Sequence, residues 1–232
     1  MNDNIFAGLQ KLTLLDFPGK VACTVFTGGC NFRCPFCHNA SLVLRAGDVD
    51  EISEDDFFSY ISKRKGILDG VCITGGEPLM SKGIEDFIKK VKDLGLAVKL
   101  DTNGTFPEKL EALLDAKLID YVAMDIKNSK EKYAITAGVD KFPEAIEKSI
   151  DLIMKKAPDY EFRTTVVREL HSTQDIVDIA KWLNGTKHYF LQKYIDSGDI
   201  LKDGFSAYSE PEMLEILENT RKILPCTTLR GN

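Results

Sequence analysis

Six cysteines stand at positions 23, 30, 34, 37, 72 and 226, and three of them fall within eight residues. The run Thr27-Gly28-Gly29-Cys30-Asn31-Phe32-Arg33-Cys34-Pro35-Phe36-Cys37-His38-Asn39 has the spacing C-x3-C-x2-C. Three thiolates on a tight loop can bind a metal centre but leave it one ligand short. Structural zinc takes four ligands, usually as two separated pairs. No second Cys-x2-Cys exists here, and His38, adjacent to Cys37, is poorly placed to complete the same tetrahedron. Ferredoxin-type clusters take four cysteines. A cubane cluster on this loop therefore keeps one iron open for a substrate or cofactor. Gly28 and Gly29 let the backbone turn sharply into the loop, and Pro35 stiffens it. The N-terminus lacks the basic and apolar regions of an export signal, so the clustering reads as metal or redox chemistry in a reducing, cytoplasmic compartment.

Something must hold this loop. Short apolar runs recur at Val21–Thr27, Gly70–Thr74, Ala97–Thr102, Tyr121–Asp125, Phe162–Val167 and Tyr189–Tyr194. Each is bounded by Gly, Asp or Asn, as buried parallel strands tend to be. Helical stripes lie between them. Ile84, Phe87, Ile88 and Val91 form one, with Ser81 as its expected N-cap and Gly95 at its end. Leu110, Leu113, Leu114 and Leu118 form another after Pro107, followed by Ile146, Ile150 and Ile153, then Ile176, Ile179, Ala180 and Leu183. Asp55–Ile61 and Glu212–Leu224 supply two more. Each parallel pair needs a crossover, so the alternation predicts an α/β protein. The 232 residues are short for a closed eightfold barrel. An open sheet and a partial six-unit barrel both fit. The expected organisation is one domain over 1–232: a leader over 1–20, six strand-helix units over 21–200, and a C-terminal helix and tail over 201–232.

The cysteine loop leaves the C-terminal end of the first strand, where α/β proteins place ligand sites. The other strand ends also carry polar groups. The second runs into Thr74-Gly75-Gly76-Glu77-Pro78, where glycines admit close backbone approach and Glu77 can accept from an ammonium. The third ends Asp101-Thr102-Asn103-Gly104, which alone would be a turn. The fourth ends Met124-Asp125-Ile126-Lys127, whose bland reading is a solvated ion pair. The fifth carries Arg163-Thr164-Thr165, where Arg163 suits a ribose, a carboxylate or a structural pair equally.

C-x3-C-x2-C with Phe36 before the third cysteine resembles the signature of the radical S-adenosylmethionine superfamily. Cys37-His38-Asn39 narrows the resemblance to the glycyl radical enzyme activases. The leader Gly8 to Lys20 and the closing Leu229-Arg230-Gly231 resemble the group that activates anaerobic ribonucleoside-triphosphate reductase. The resemblance implies a partial (β/α)6 barrel with an open side. It implies a [4Fe-4S] cluster on Cys30, Cys34 and Cys37, and S-adenosyl-L-methionine cleaved to a 5′-deoxyadenosyl radical. Phe36, His38, Asn39, Gly75, Gly76, Glu77, Asp101 and Lys127 are the implied cofactor contacts, with a monovalent cation at Asp101 and Asp125. The implied partners are a glycyl radical enzyme, foremost anaerobic ribonucleotide reductase, and an electron donor such as flavodoxin or ferredoxin. Pyruvate formate-lyase activase carries a histidine where Ile195 aligns, so that contact is not carried over. Activation of pyruvate formate-lyase, small-molecule radical chemistry and a zinc-binding adaptor are the competing readings.

Composition narrows the field further. Lys+Arg 30 against Asp+Glu 36 gives −6, which disfavours nucleic acid and anionic membrane as partners. No apolar stretch approaches the roughly 18 residues of a membrane span. Cys23 and Cys72 read as small buried hydrophobes. Cys226 has no assigned role, and His171, His188 and Trp182 read as satisfied or packing residues.

Overall fold

The computed structural model describes residues 6–44 and 52–231. Its elements in chain order are β1 (Phe6–Thr13), β2 (Ala22–Thr27), α1 (Ala40–Leu44), α2 (Glu54–Ser62), β3 (Gly70–Gly75), α3 (Ile84–Asp93) and β4 (Ala97–Thr102). There follow α4 (Pro107–Asp115), β5 (Tyr121–Asp125), α5 (Tyr133–Ala137), α6 (Ala145–Lys156), β6 (Tyr160–Val166), α7 (Thr173–Trp182), β7 (Tyr189–Lys193), α8 (Glu210–Arg221) and β8 (Thr227–Arg230). A 3-10 turn, Pro78–Met80, separates β3 from α3.

The eight strands form one sheet in the order of the chain, β1 through β8. From β2 to β8 every pairing is parallel, and β1 adds antiparallel to β2. A doubly wound sheet reverses its strand order at a switch point. No reversal occurs here, so right-handed crossovers place the helices on one face. The sheet is not closed: among the described residues β1 and β8 do not pair with each other. The architecture is that of a partial barrel.

Period-two alternation sorts the strand residues between the two faces. Val71, Ile73, Val98, Leu100, Val122, Met124 and Phe162 are buried in the large core against the helices. The intervening positions, among them Cys72, Lys99, Asp101, Tyr121, Asp125, Glu161 and Arg163, line the inner face. Its floor is a separate small core of Phe17, Ala22, Tyr121 and Ala123, with Ala97 packed against it. Phe17 comes from the leader and lies against Gly70, where a Cβ would stand 2.9 Å from its ring. A side chain at Gly70 would therefore evict the plug.

The six expected strands and six expected helices are all present, with ends shifted by a few residues. Two strands were not anticipated: β1 lies within the leader and β8 within the C-terminal tail. β1 has an exposed middle and two register irregularities, and β8 has only four residues. Neither carries the continuous apolar signal of a buried strand. The short helices α1 and α5 were also unforeseen. The expected N-cap of α3 is corrected: Gly83, at φ 77°, occupies that position, while Ser81 ends the 3-10 turn. No helix among the described residues is long and apolar enough to cross a membrane.

Phe17 is 2 % exposed, and truncation of such a ring leaves a cavity the floor cannot refill. Phe17→Ala is expected to lower the unfolding free energy by about 3–5 kcal/mol, read by urea denaturation. A loss below about 1 kcal/mol would show that the floor does not depend on this plug.

Candidate active site

Past β2 the chain turns through Gly29, at φ 78°, into the cysteine loop. Cys34 is buried, and Cys30 and Cys37 are half-buried. The loop is held from both sides. The Arg33 amide donates to the Ala137 carbonyl at 2.9 Å, and a Cβ on Gly138 would meet the Arg33 carbonyl oxygen at 2.2 Å. On the other side lies the segment after β7. Asp199 accepts from the Ser41 amide and, at 2.6 Å, from its hydroxyl. The Lys202 amide donates to the Pro35 carbonyl at 2.9 Å, and His38 Nε2 donates to the Ile195 carbonyl at 2.5 Å.

The donor set fits an iron–sulfur cluster. Burial pushes the Cys34 thiol up to about 12 and raises Cys30 as well. Such thiols ionise when a cationic iron centre compensates the thiolate. The Cys30 sulfur already faces two donors, the Phe32 amide at 3.4 Å and the Asn103 side-chain amide at 3.8 Å, the kind of contact that tunes a cluster. Among the described residues no three His, Cys, Asp or Glu side chains converge to hold a single metal ion. A cluster differs in offering a separate iron to each thiolate.

The glycines of the second strand end answer first to the cysteine loop. The Gly76 amide donates to the Thr27 carbonyl and the Glu77 amide to the Gly29 carbonyl, both at 2.9 Å. A Cβ on Gly76 would stand 1.8 Å from the Gly29 oxygen, and one on Gly75, at φ 115°, would stand 2.4 Å from the Thr27 nitrogen. Asn39 reinforces the junction by donating from Nδ2 to the Gly75 carbonyl at 3.2 Å. Gly75 and Gly76 still line the cavity, so this wall presents backbone rather than side chain.

Glu77 departs from its expected part. Its carboxylate is fully buried and turned away from the cavity. Oε1 accepts from the Leu79 amide at 3.0 Å and the Thr102 hydroxyl at 2.9 Å, and Oε2 accepts from the Asn103 amide at 2.6 Å. In this structure the side chain clasps two strand ends together through those three bonds. A buried carboxylate needs such donors, and neighbouring backbone turns supply them.

Beyond Glu77, the inner face carries a lattice of charges. Asp101 pairs with Lys99 and accepts from Arg163 Nη1 at 3.0 Å. Asp125 accepts from Arg163 Nε at 2.9 Å and pairs with Lys127 at 3.1 Å. Burial alone would raise both carboxyls, but the Arg163 charge, with Lys99 beside Asp101 and Lys127 beside Asp125, holds them below the usual range. Each carboxylate already faces protein cations, so the pair lacks the uncompensated charge a bound cation needs. The expected cation site does not fit this arrangement. Asp125 and Lys127 do form the ion pair of the bland reading, half-buried in the cavity wall. Cys72 is buried as expected, yet its neighbours are Lys99 and Asp101, each at 3.8 Å, rather than apolar groups. His171 is a satisfied core residue: Nδ1 accepts from the Val167 amide, which leaves Nε2 to donate to the Lys127 carbonyl at 2.7 Å.

One cavity of about 240 Å³ collects Cys30, Cys34, Cys37, Phe36, His38, Asn39, Gly75, Gly76, Asp101, Asp125 and Lys127. Of the residues expected at the site, only Glu77 lies outside its lining. Thr74, Thr102, Asn103, Arg163, Thr165 and Gln192 join them. Five of the six sit at or beside the predicted strand ends, where position could have found them, while Arg163, already singled out in the sequence, lies in the middle of β6.

Burial raises Glu77 from an ordinary 4.5 to about 7, against the pull of the Asn103, Leu79 and Thr102 hydrogen bonds. The folded state binds this proton more tightly than the unfolded chain. Its contribution to stability is complete below about pH 4.5 and is lost as pH rises through 7. Glu77→Gln should remove that slope and also place an amide NH2 against the Asn103 N–H, costing about 1–3 kcal/mol. Denaturation midpoints across pH 4.5 to 8 check both, and an unchanged profile would refute the clasp.

The family model of the radical SAM superfamily matches residues 24–184. A Methanocaldococcus jannaschii protein grouped by name with the glycyl-radical enzyme activating enzymes is 35 % identical over 222 residues, 92 % of this chain and 89 % of that protein. The pyruvate formate-lyase-activating enzyme of Clostridium pasteurianum is 31 % identical over 60 % of this chain and 61 % of its own length. Among solved structures, Streptococcus suis SuiB bound to S-adenosylmethionine superposes with a TM-score of 0.67 at 17 % identity, over 88 % of this chain and 48 % of that one, a likeness of fold. Cysteine loop, one-directional sheet and kinship agree: the chain belongs to the radical SAM superfamily, among relatives that are glycyl-radical enzyme activating enzymes.

Proposed function

We propose that this chain holds a [4Fe-4S] cluster on Cys30, Cys34 and Cys37, binds S-adenosylmethionine beside it, and installs a glycyl radical on anaerobic ribonucleoside-triphosphate reductase. The observation that carries the reading is the single cavity in which three thiols face the polar ends of neighbouring strands. A reduced cluster held by these cysteines would supply the one electron for cleaving the sulfonium carbon–sulfur bond, with methionine and a 5′-deoxyadenosyl radical as the products. A soluble one-electron carrier such as flavodoxin or ferredoxin is the proposed donor.

The chain's own residues do the rest. Asn103 and the Phe32 amide spread negative charge away from the Cys30 sulfur. Lys127, tethered by Asp125 and held by His171 through its carbonyl, offers a fixed ammonium to a carboxylate. Gly75 and Gly76 line the cavity with backbone, whose carbonyls can accept from the cofactor's ammonium. Phe36 and His38 wall the cavity and exclude water. A sheet whose edges do not meet leaves a side through which a macromolecular glycine loop can reach this cavity.

The formate-lyase-activating relative supports pyruvate formate-lyase as a second target. One anaerobic paramagnetic resonance experiment separates the two. Reconstituted protein, reductant and S-adenosylmethionine are mixed with the large subunit of the reductase or, separately, with pyruvate formate-lyase. A glycyl doublet with the reductase alone, abolished by Cys34→Ala, is expected. A doublet with the lyase alone would move the assignment to that target. No reducible cluster after competent reconstitution would overturn the enzyme reading.

A further inference from the structure

The tail residues Leu229-Arg230-Gly231 lie outside the cavity lining, yet Arg230 is engaged with unusual completeness. It sits on β8 opposite Gln192 of β7, and its guanidinium lies 3.7 Å from the centre of the Phe190 ring. Nη1 and Nη2 donate to the two oxygens of Glu161 at 2.6 and 2.7 Å, a bidentate fork. Glu161 projects from β6 into the barrel interior and is fully buried, and its Oε2 also accepts from the Tyr121 hydroxyl at 2.8 Å. Burial would raise this carboxyl, and the two arginines outweigh burial and hold it ionised.

Two residues along the same face of β6 is Arg163. It therefore lies between one carboxylate on the floor side and two on the cavity side. Its Nη1 is 3.9 Å from Glu161, beyond a hydrogen bond, while its bonds to Asp101 and Asp125 are 3.0 and 2.9 Å. The asymmetry has a visible cause, since Glu161 is already saturated by Arg230 and Tyr121.

We infer that Arg230 is a positioning residue for the cofactor cavity: by saturating Glu161 it leaves Arg163 committed to Asp101 and Asp125. Without Arg230, a buried carboxylate would keep only the Tyr121 hydroxyl, and an unpaired buried charge is costly. The nearest cation able to answer is Arg163. Its turn toward Glu161 would strip both aspartates of that partner and leave Asp125 to Lys127 alone, drawing the Lys127 ammonium onto Asp125 and away from a ligand in the cavity. The inference rests on the reading of this cavity as the S-adenosylmethionine site.

Arg230→Met keeps an aliphatic stem over Phe190 but removes the donors. Equilibrium dialysis of labelled S-adenosylmethionine against reconstituted, oxidised protein reads binding without turnover, with circular dichroism and iron content as controls. Arg230→Met should weaken binding about tenfold or more at unchanged fold and iron content. The double variant Glu161→Gln/Arg230→Met should return to within about threefold of wild type, because a neutral amide no longer competes for Arg163. A packing role would not predict that rescue. Undiminished binding in Arg230→Met, or a folded double variant as weak as the single, overturns the inference. If Arg230→Met does not fold, the double variant decides alone by the same criterion, and loss of fold in both overturns it as well. Failure of the wild-type protein to bind S-adenosylmethionine instead overturns the cavity assignment, and the inference with it.

Discussion

A parallel sheet wound in one direction leaves one face without helices, and everything at this site follows from how that face is filled. A closed barrel of eight units fills its interior with layers of branched apolar side chains. Here the apolar filling is confined to the floor, where Phe17 meets Tyr121, Ala22 and Ala123. Above it stand three carboxylates, Asp101, Asp125 and Glu161, interleaved with Lys99, Lys127, Arg163 and Arg230. Charges buried in this way persist only when paired and hydrogen-bonded. The lattice satisfies that condition with one positive charge in excess, which suits an interior that opens onto thiolates and an anionic carboxylate.

Backbone contact is the second constraint. Between residues 27–29 and 75–77 the chain comes so close that no side chain fits at Gly76. The cysteine loop and the glycine turn are thereby one unit, clasped from beneath by Glu77 to the turn after β4. Cavity residues from two consecutive strand ends are thus placed by main-chain hydrogen bonds, and the Glu77 side chain ties in the third.

Much of this was legible in the sequence. The six parallel strands and the helical stripes between them carry strong periodicity, and the cysteine spacing is specific. Position at strand ends gathered most of the cavity lining correctly. What escaped was information about faces and partners. The apolar runs read as uniformly buried, yet alternate residues such as Lys99, Glu161 and Arg163 point into the barrel, where only the fold shows what they meet. Glu77 sits in the right motif, but the sequence does not show that three donors on neighbouring turns claim its oxygens. β1 is an irregular edge strand with an exposed middle, and β8 is a four-residue edge strand paired with β7, which lies 38 residues earlier in the chain. Arg163 was ambiguous because its two aspartates lie 62 and 38 residues away.

The contacts around the cysteine loop also set an order of events. The three thiols lie within the first 37 residues of the chain, but Asp199, Ile195 and Lys202, which fasten the loop, come about 160 residues later. A nascent chain exposes its cysteines long before their clamp exists, and such distant contacts form late. The loop reaches its final shape only when synthesis has passed β7. Before that point the three thiols lack these contacts, and only afterwards can residues 195–202 fasten the segment that carries them.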